Sequence, residues 1–267
     1  MPAQSKYRLY EQSVQTPDAH IEMFQDFYRD LHGGRYARQL REDFCGTFAL
    51  SCEWVRRNRR NKAICLDLDR EPLAYGRRVH LARLDREQKS RIEPRRMDVC
   101  STTKPAADLI VACNFSFNVF KERRKLLEYL RFARRSLKKD GMLILEASGG
   151  PGMIEKTRER KAIFGKGRKR LFSYVWDQKE FNPITGEGKY AIHFEMPDGK
   201  SKRNAFTYDW RIWSVPELTD LLIDAGFRQS HTYWETTHRG RGTNEYARTR
   251  RGDNAYAYIA YVVGIGR

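Results

Sequence analysis

Two stretches, QLREDFCGTFALS at residues 39–51 and AICLDLD at residues 63–69, decide the fold. Each predicts a short strand that gives way to a helix, over residues 49–57 in the first case and 71–84 in the second. Strands that alternate with helices are typical of parallel sheets, because each helix carries the chain back across the sheet. We therefore expect a doubly wound α/β domain.

The same alternation continues as far as residue 148. Residues 94–99 suit a third strand, and the apolar run DLIVAC at residues 108–113 suits a buried fourth strand. A helix is predicted over residues 121–137, because apolar residues recur there at helical spacing. A fifth strand follows the Asp140-Gly141 turn.

The pattern changes after residue 150. Residues 150–169 are polar and basic, without an evident element. Turn sequences then separate aromatic-rich runs, which predicts three antiparallel strands at about residues 170–178, 189–196 and 203–212. This segment therefore reads as an insertion into the α/β domain.

Both ends of the chain add further elements. A helix is predicted over residues 16–31, so that Tyr10 and Gln15 precede the first helix. Near the other end, a helix over residues 216–225 leads into two strands joined by a basic hairpin loop, residues 236–254. We predict three parts: a helical cap (1–37), a Rossmann-like domain (38–149 and 213–267) and an inserted antiparallel sheet (150–212).

Composition limits the classes of protein to consider. The chain has 267 residues and a formal net charge of +17, which raises the expectation of an acidic partner such as nucleic acid. No apolar run approaches a membrane span, and residues 1–10 carry no secretory signal, so we expect a cytoplasmic protein. The five cysteines form no C-x-x-C pair and the histidines are scattered, so we expect reduced thiols and no metal site.

Chemistry-bearing residues follow four successive predicted strands. The first group contains Gly46, which permits close approach of a ligand to the backbone. Asp67 follows 21 residues later (67 − 46 = 21), a spacing typical of a glycine loop and a ribose-binding acid. The four groups are Glu42 to Thr47, Asp67 with Leu68, Asp98 with Val99, and Asn114 with Ser116. Because ligands of doubly wound sheets bind at the carboxyl ends of strands, we expect these groups to form one site.

These motifs resemble those of class I S-adenosylmethionine methyltransferases. The resemblance covers roughly residues 38–148, through EDFCGTFALS, CLDLD, MDV, DLIVACNFSF and LKKDGMLILE. It implies a seven-stranded, mostly parallel sheet with an antiparallel last strand, and S-adenosylmethionine as cofactor. It also implies that Glu42 and the loop Phe44, Cys45, Gly46 and Thr47 contact the methionine part, that Asp67 holds the ribose, and that Asp98 and Val99 lie near the adenine.

The glycine loop departs from the family's pattern. The family's acidic-x-Gly-x-Gly-x-Gly loop would place glycines at Phe44, Gly46 and Phe48, and only Gly46 is present. We expect a different backbone path with an intact site. The alternative is a cofactor-binding protein that has lost catalysis.

Further residues are predicted to complete the site. Asn114 and Ser116 would line the methyl-donor site, and Tyr10 and Gln15 would fold over the cofactor, as such segments do in the family. Cys45 has no identifiable partner base, so it is expected to pack rather than to act as a nucleophile.

The inserted sheet supplies the predicted substrate residues. Strand alternation puts Phe206, Tyr208 and Trp210 on one face. One interpretation is a substrate lid, with Tyr174, Trp176 and Arg211 contacting the acceptor and His193 or Tyr208 acting as a base. The other is an aromatic minicore that only stabilises the insertion.

The function predicted is methyl transfer to a nitrogen or oxygen of a small molecule. Segment FTYDWRIWSVPELTDLLIDAGF, residues 206–227, resembles family members that act on such molecules. The runner-up is a methyltransferase of RNA or another macromolecule, on the basis of the net charge and the Gly/Arg-rich loop 238–252. The pair Asn114-Phe115 resembles the Asn-Pro-Pro-aromatic motif of base and glutamine N-methyltransferases, but both prolines are absent.

Overall fold

A computed structural model describes residues 5–238 and 241–266 of the chain. The helices are α1 (Lys6–Val14), α2 (Pro17–Leu31), α3 (Ala49–Arg57), α4 (Arg70–Val79), α5 (Arg86–Lys89), α6 (Arg123–Ser136) and α7 (Val215–Asp224). The strands are β1 (Gln39–Asp43), β2 (Lys62–Asp67), β3 (Ile92–Arg96), β4 (Ala107–Ala112), β5 (Leu137–Gly149), β6 (Thr157–Phe164), β7 (Arg170–Asn182), β8 (Glu187–Glu195), β9 (Ser201–Arg211), β10 (Gln229–His238), β11 (Arg241–Arg248) and β12 (Tyr258–Ile265).

The central sheet has the strand order β3-β2-β1-β4-β5-β12-β10-β11. The pairs from β3 to β5 are parallel, whereas β12 is antiparallel to β5 and β10 is antiparallel to β12. The chain reverses its direction of winding between β1 and β4, which opens a crevice at the carboxyl ends of these strands. The predicted α/β fold class with an antiparallel insertion is confirmed.

Both faces of the central sheet are covered by apolar side chains. On one face, Phe24 of α2 and Trp54 of α3 are almost fully buried in a single cluster. On the other face, Leu130 of α6 and Leu222 of α7 pack on the sheet. Burial on both faces explains why the parallel strands read as short apolar runs. No helix in the described part of the chain has the length and apolarity that a membrane span needs.

Besides the short helix α5, the sequence missed three elements. Helix α1 is present where no helix was expected, so Tyr10 lies on a helix and Gln15 caps its end. Strand β6 lies at the edge of the insertion, and its first five residues are polar or charged, so it has no alternating apolar pattern to reveal it. Strand β11 lies in the predicted hairpin loop and pairs with the edge of β10, which satisfies backbone groups that would otherwise be unpaired.

The inserted sheet therefore has four strands, in the order β6-β7-β8-β9. Its small apolar cluster includes Phe172, Ile192 and Phe194, and Leu9 of α1 is buried in the same cluster. Helix α1 is thus held between the inserted sheet and the central domain. This packing brings α1 and the inserted sheet together.

Candidate functional site

The loop after β1 is attached to the end of β2. The backbone N–H of Cys45 donates to the carbonyl oxygen of Leu66 over 2.9 Å. The next N–H, that of Gly46, donates to Oδ2 of Asp67 over 2.7 Å, while Oδ1 of Asp67 accepts from the N–H of Asp69 over 2.8 Å. The Asp67 carboxylate therefore has a fixed orientation, and burial raises its pKa.

The three positions that the family gives to glycine share one backbone conformation. Phe44, Gly46 and Phe48 have φ angles of 54°, 52° and 47°, all in the left-handed region. This region costs a non-glycine residue about 1–2 kcal/mol. The loop thus keeps the conformation that glycine favours, and the expectation of a different backbone path is not supported.

The two phenyl rings are accommodated away from one another. The ring of Phe48 is fully buried, and a Cβ on Gly76 of α4 would come within 2.5 Å of it. The ring of Phe44 packs on Phe120 and Tyr129, with centroid distances of 6.0 and 5.7 Å. A Cβ on Gly46 would meet no atom within 4 Å, so the space above the middle of the loop is open.

A cavity of about 410 Å³ lies at this loop, and we call it the loop cavity. Most of the predicted cofactor residues line it. The lining consists of Lys6, Tyr7, Tyr10, Gln15, Glu42, Asp43, Phe44, Cys45, Gly46, Thr47, Asp67, Asp69, Pro72, Cys113, Asn114, Ser116, Val119, Phe206, Tyr208 and Trp210. It has several carboxylates and a single lysine, although the chain as a whole is strongly basic.

Three of the predicted cofactor residues do not line this cavity. The side chain of Leu68 is exposed to solvent. Asp98 uses Oδ1 to accept from the N–H of Cys100 over 2.8 Å. Val99 is buried, and its carbonyl oxygen accepts from Nη2 of Arg41 over 2.7 Å. Asp98 and Val99 thus hold the loop after β3 in place, and none of the three residues lines the loop cavity.

Helix α1 forms one wall of the loop cavity and is fastened to the loop. Oε1 of Glu11 accepts from Oγ1 of Thr47 over 2.7 Å and lies 2.7 Å from Nε2 of His80, the residue that caps α4. At the end of the helix, Gln15 lines the cavity, and its buried Oε1 has no hydrogen-bond partner among the described residues. Sequence reasoning missed α1, but Tyr10 and Gln15 both line the cavity at the loop over which they were predicted to fold.

Glu42 is a buried carboxylate at the base of the loop cavity. It accepts from the N–H and the hydroxyl of Ser51, over 3.0 and 2.5 Å. Burial, the largest influence, raises its pKa to about 7. Its charge can therefore respond to a ligand near neutral pH. Burial also raises the pKa of Cys45, so this residue stays a thiol and packs, as its sequence context predicts.

A second cavity, of about 420 Å³, lies beneath the inserted sheet, and we call it the aromatic cavity. Its lining is dominated by rings. It is lined by Tyr10, Val14, Asn114, Phe115, Ser148, Met153, Tyr174, Trp176, Ile192, Tyr208, Trp210, Glu235, Ala257, Tyr258 and Ile259. Two of the predicted substrate residues, Tyr174 and Trp176, are among them. A concave, mostly apolar space with a few polar groups is typical of a small-molecule site.

The two cavities adjoin, because Tyr10, Asn114, Tyr208 and Trp210 line both. We call these four residues the junction. As alternation predicts, Tyr208 and Trp210 of β9 point the same way, with ring centroids 4.2 Å apart. Burial, then the neighbouring hydroxyls, raises the pKa of Tyr10 well above its usual value. Burial also raises that of Tyr208, so both phenols stay neutral near pH 7.

The backbone at the end of β4 is also strained. Asn114 and Phe115 have φ angles of 54° and 58°. The N–H of Asn114 donates to Oε2 of Glu146 over 2.5 Å, and the hydroxyl of Ser116 donates to the carbonyl of Cys113 over 2.7 Å. Left-handed non-glycine residues cluster at ligand sites, where the surrounding structure supports their strain.

His193 is not placed to act as a base. It lines neither cavity. Its Nδ1 accepts from the N–H of Asn204 over 2.8 Å, and its Nε2 lies 3.1 Å from Oδ2 of Asp177. Both ring nitrogens are therefore used within the inserted sheet. The sequence could not show this, because a lone histidine on a strand gives no sign of its partners.

Tyr208 lies at the junction, but it does not fit the predicted role of base, because its raised pKa leaves it protonated. Its hydroxyl can orient a ligand instead. Arg211 lines neither cavity. It donates to the carbonyl of Lys121 and to Oε1 of Glu217 over 3.1 and 3.0 Å, and it lies over the ring of Trp213. It therefore ties β9 to the central domain.

The chain is similar to known proteins in its fold but not in its sequence. No protein-family model and no curated protein matches the sequence. Solved structures match over nearly the whole chain. SAM-bound CalS10, an amino pentose methyltransferase from Micromonospora echinaspora involved in calicheamicin biosynthesis, has a TM-score of 0.70 at 14% identity, over 100% of this chain and 98% of that chain.

Two further structures agree. The sugar N-methyltransferase KedS8 from Streptoalloteichus has a TM-score of 0.66 at 17% identity, over 100% of this chain and 94% of that chain. DesVI from Streptomyces venezuelae has a TM-score of 0.69 at 15% identity, over 98% and 97%. The chain has the class I methyltransferase fold.

The methyltransferase fold accounts for seven of the strands in the central sheet. The strands β3-β2-β1-β4-β5-β12-β10 are the seven that the resemblance implies, with β12 antiparallel. Strand β11 extends this methyltransferase sheet at its edge. Both cavities lie at the carboxyl side of the parallel strands, where ligands of such sheets bind.

Proposed function

We propose that the chain is an S-adenosylmethionine-dependent methyltransferase that methylates a nitrogen of a small molecule. The observation that carries this proposal is the pair of adjoining cavities with different chemistry. One has carboxylates and an open loop, the other is walled by aromatic rings, and the junction residues line both. A methyl group bound in one cavity can therefore face an acceptor in the other.

The loop cavity fits the cofactor. The Asp67 carboxylate has lone pairs free of the loop for ribose hydroxyls, and Glu42 can pair with the amino group of the methionine part. The orphaned Oε1 of Gln15 offers a further acceptor. The open space above Gly46 lets a ligand approach the backbone closely. Leu68, Asp98 and Val99 take no part in this assignment.

The cofactor, when bound, supplies a methyl group on a positively charged sulfur, and loss of this methyl group leaves the sulfur as a neutral thioether. The chain's task is alignment, because displacement at a methyl group requires the attacking atom in line with the leaving sulfur. Tyr10, Tyr208 and Asn114 provide hydrogen-bonding groups at the junction that hold the attacking atom.

Nitrogen is favoured over oxygen by the absence of a base at the junction. None of Tyr10, Asn114, Tyr208 and Trp210 accepts a proton near neutral pH. A hydroxyl would need to lose its proton to attack, whereas a neutral amine already has a lone pair. Burial among aromatic rings favours the neutral amine, because desolvation lowers the pKa of an ammonium group.

The structural neighbours support this choice. CalS10 is described as an amino pentose methyltransferase, KedS8 as a sugar N-methyltransferase and MtfA as a glycopeptide N-methyltransferase. Each of these descriptions names a small-molecule or peptide-derived acceptor, and two of them name nitrogen. By analogy of fold, we propose an acceptor of this size for the present chain.

Two measurements test the proposal. Calorimetry with S-adenosylmethionine and S-adenosylhomocysteine should show binding of both, and a deuterated methyl group should appear by mass spectrometry on amine acceptors. Alcohols of matched shape should stay unmethylated. Cofactor binding together with methylation of alcohols alone would overturn the nitrogen assignment, and absence of cofactor binding would overturn the whole proposal.

A nucleic-acid acceptor remains a prediction from the net charge. The described lining of the aromatic cavity has no basic side chain to bind phosphate, and this disfavours entry of a polyanion. Part of the basic loop 238–252 is strand β11, and residues 239–240 of that loop lie outside the described residues. Salt-dependent binding of RNA that competes with amine acceptors would favour the alternative.

A further inference from the structure

The floor of the aromatic cavity contains a buried hydroxyl with no partner. Ser148, on β5, is 4% exposed and lines this cavity. Its Oγ has no hydrogen-bond partner among the described residues. A buried hydroxyl left unpaired costs on the order of 1–3 kcal/mol, so a polar group of a ligand is the partner that would repay this cost.

The far end of the same floor holds a carboxylate. Glu235, on β10, is the one charged side chain among the described residues that line the aromatic cavity. Its Oε1 accepts from the N–H of Asn244 over 2.8 Å. A Cβ at position 242 would come within 2.4 Å of the same oxygen, so Gly242 leaves the space that this carboxylate takes. The hairpin thus holds a negative charge at a fixed place.

Sheet register gives the spacing of these two groups. Ser148 pairs with Ile259 of β12, and Glu235 follows Trp234, which pairs with Ala260 of β12. The two residues therefore lie on the two strands that flank β12, and their backbones are two strand spacings apart, or roughly 10 Å. Glu235 does not line the loop cavity, so the group it binds is distant from the methyl donor.

The charge of the floor specifies what it can bind. A carboxylate that lines this cavity favours a cation there, because a hydrogen bond between an ammonium group and a carboxylate is charge-assisted and strong. The attacking amine must be neutral and must lie at the junction. A cation at Glu235 is therefore a second group of the same molecule.

We propose that the acceptor carries a second, cationic amine that pairs with Glu235, and a polar atom between its two ends that bonds to Ser148. This inference rests on the proposed function and deepens it. Glu235 and Ser148 are acceptor-binding residues that set specificity, and neither touches the methyl group. The acceptor is thus an elongated diamine with an oxygen or nitrogen in its middle part.

Three probes with the same eight-atom backbone test the inference: octylamine, 1,8-diaminooctane and 1,8-diamino-3,6-dioxaoctane. They differ first by the second amine and then by the two ether oxygens. The readout is kcat/KM for methyl transfer from S-adenosylmethionine. The wild-type chain should prefer the diamine to octylamine by about 10- to 100-fold, the range for a hydrogen bond to a charged group. It should prefer the dioxa compound to the plain diamine by a smaller factor.

The two residues should separate these preferences. Glu235→Gln retains an oxygen for the N–H of Asn244, so the chain should fold, and the preference for a diamine should fall to about one. Glu235→Asp should retain much of it. Ser148→Ala should remove only the preference for ether oxygens. The matched controls are Glu245→Gln, on exposed β11, and Ser230→Ala, which removes a hydroxyl that also lacks a partner in the described structure but lines neither cavity.

The outcomes distinguish this inference from the proposed function. Cofactor binding with no methylation of any of the three amines overturns the inference and leaves the cofactor assignment in place. Equal use of octylamine and diamine, or a diamine preference that survives Glu235→Gln, also overturns it. Absence of cofactor binding overturns the proposed function, and the inference with it.

Discussion

The backbone N–H of Gly46 donates a 2.7 Å hydrogen bond to Oδ2 of Asp67. This bond joins the loop after β1 to the end of β2, and it fixes the carboxylate relative to the open space above the glycine. The spacing of 21 residues is thus more than a count along the chain, because it brings a ligand-accessible backbone and an acid into direct contact.

Asp67→Asn should weaken binding of S-adenosylmethionine by about 10- to 100-fold, since the amide can no longer accept with both oxygens, and such bonds contribute about 1–3 kcal/mol. Calorimetry measures this. Asp98→Asn is the matched control and should bind with wild-type affinity, because Asp98 does not line the loop cavity. Equal losses in both variants would contradict the assignment.

Glu42 should make stability depend on pH. Its pKa is raised from 4.5 to about 7 in the folded chain, so the folded state holds a proton that the unfolded state has lost between these values. The favourable contribution is complete below the unfolded pKa and is lost as pH rises through about 7, a change of up to about 3 kcal/mol in the free energy of unfolding. Urea unfolding at a series of pH values measures it.

The same carboxyl should make cofactor affinity depend on pH in the opposite sense. Pairing with an ammonium group favours the charged form, so the affinity for S-adenosylmethionine should rise through about pH 7. Glu42→Gln should flatten both profiles. If the pH dependence of both stability and affinity persisted in that variant, another group would be responsible.

Phe48→Gly restores the family's usual residue, and it should nonetheless destabilise the chain. Loss of a fully buried phenyl ring costs about 3–5 kcal/mol, and relief of the left-handed backbone returns only about 1–2 kcal/mol. Phe44→Gly is the comparison and should lose less, because its ring is only partly buried. Denaturant unfolding of both variants tests this, and a stabilised Phe48→Gly would show that the ring is not a packing residue.

Trp176→Ala and Arg211→Ala should differ in kind. Trp176 lines the aromatic cavity but not the loop cavity. Its loss should therefore lower kcat/KM for an amine acceptor by tenfold or more, on the order of 1–2 kcal/mol, and should leave cofactor affinity unchanged. Arg211 bonds to the central domain, so its loss should lower the melting temperature, and turnover should fall only as far as folding does. If Arg211→Ala kept its stability and lost turnover, Arg211 would be a residue that binds the acceptor.

Local pattern predicted what depends on nearest neighbours in the chain. Apolar runs and their ends predicted the parallel strands, the loops that follow these strands, and the positions of Asp67 and Asn114. Helix α1 was missed because its apolar residues pack partly on the insertion, so Leu9 has no local reason to be buried. Strand β11 was missed because its polar sequence forms a strand only against the edge of β10.

The sequence by itself determined the fold class and the order of the cofactor motifs, since these rest on periodicity and on spacing between strand ends. Only the tertiary structure decided which polar residues line the two cavities. His193 and Arg211 have suitable side chains, but they bond within the protein, and Asp98 lies outside the loop cavity with its Oδ1 bonded to Cys100. Ser148 and Glu235 gave no signal in the sequence, and they face one cavity because adjacent strands of a sheet align residues that are distant along the chain.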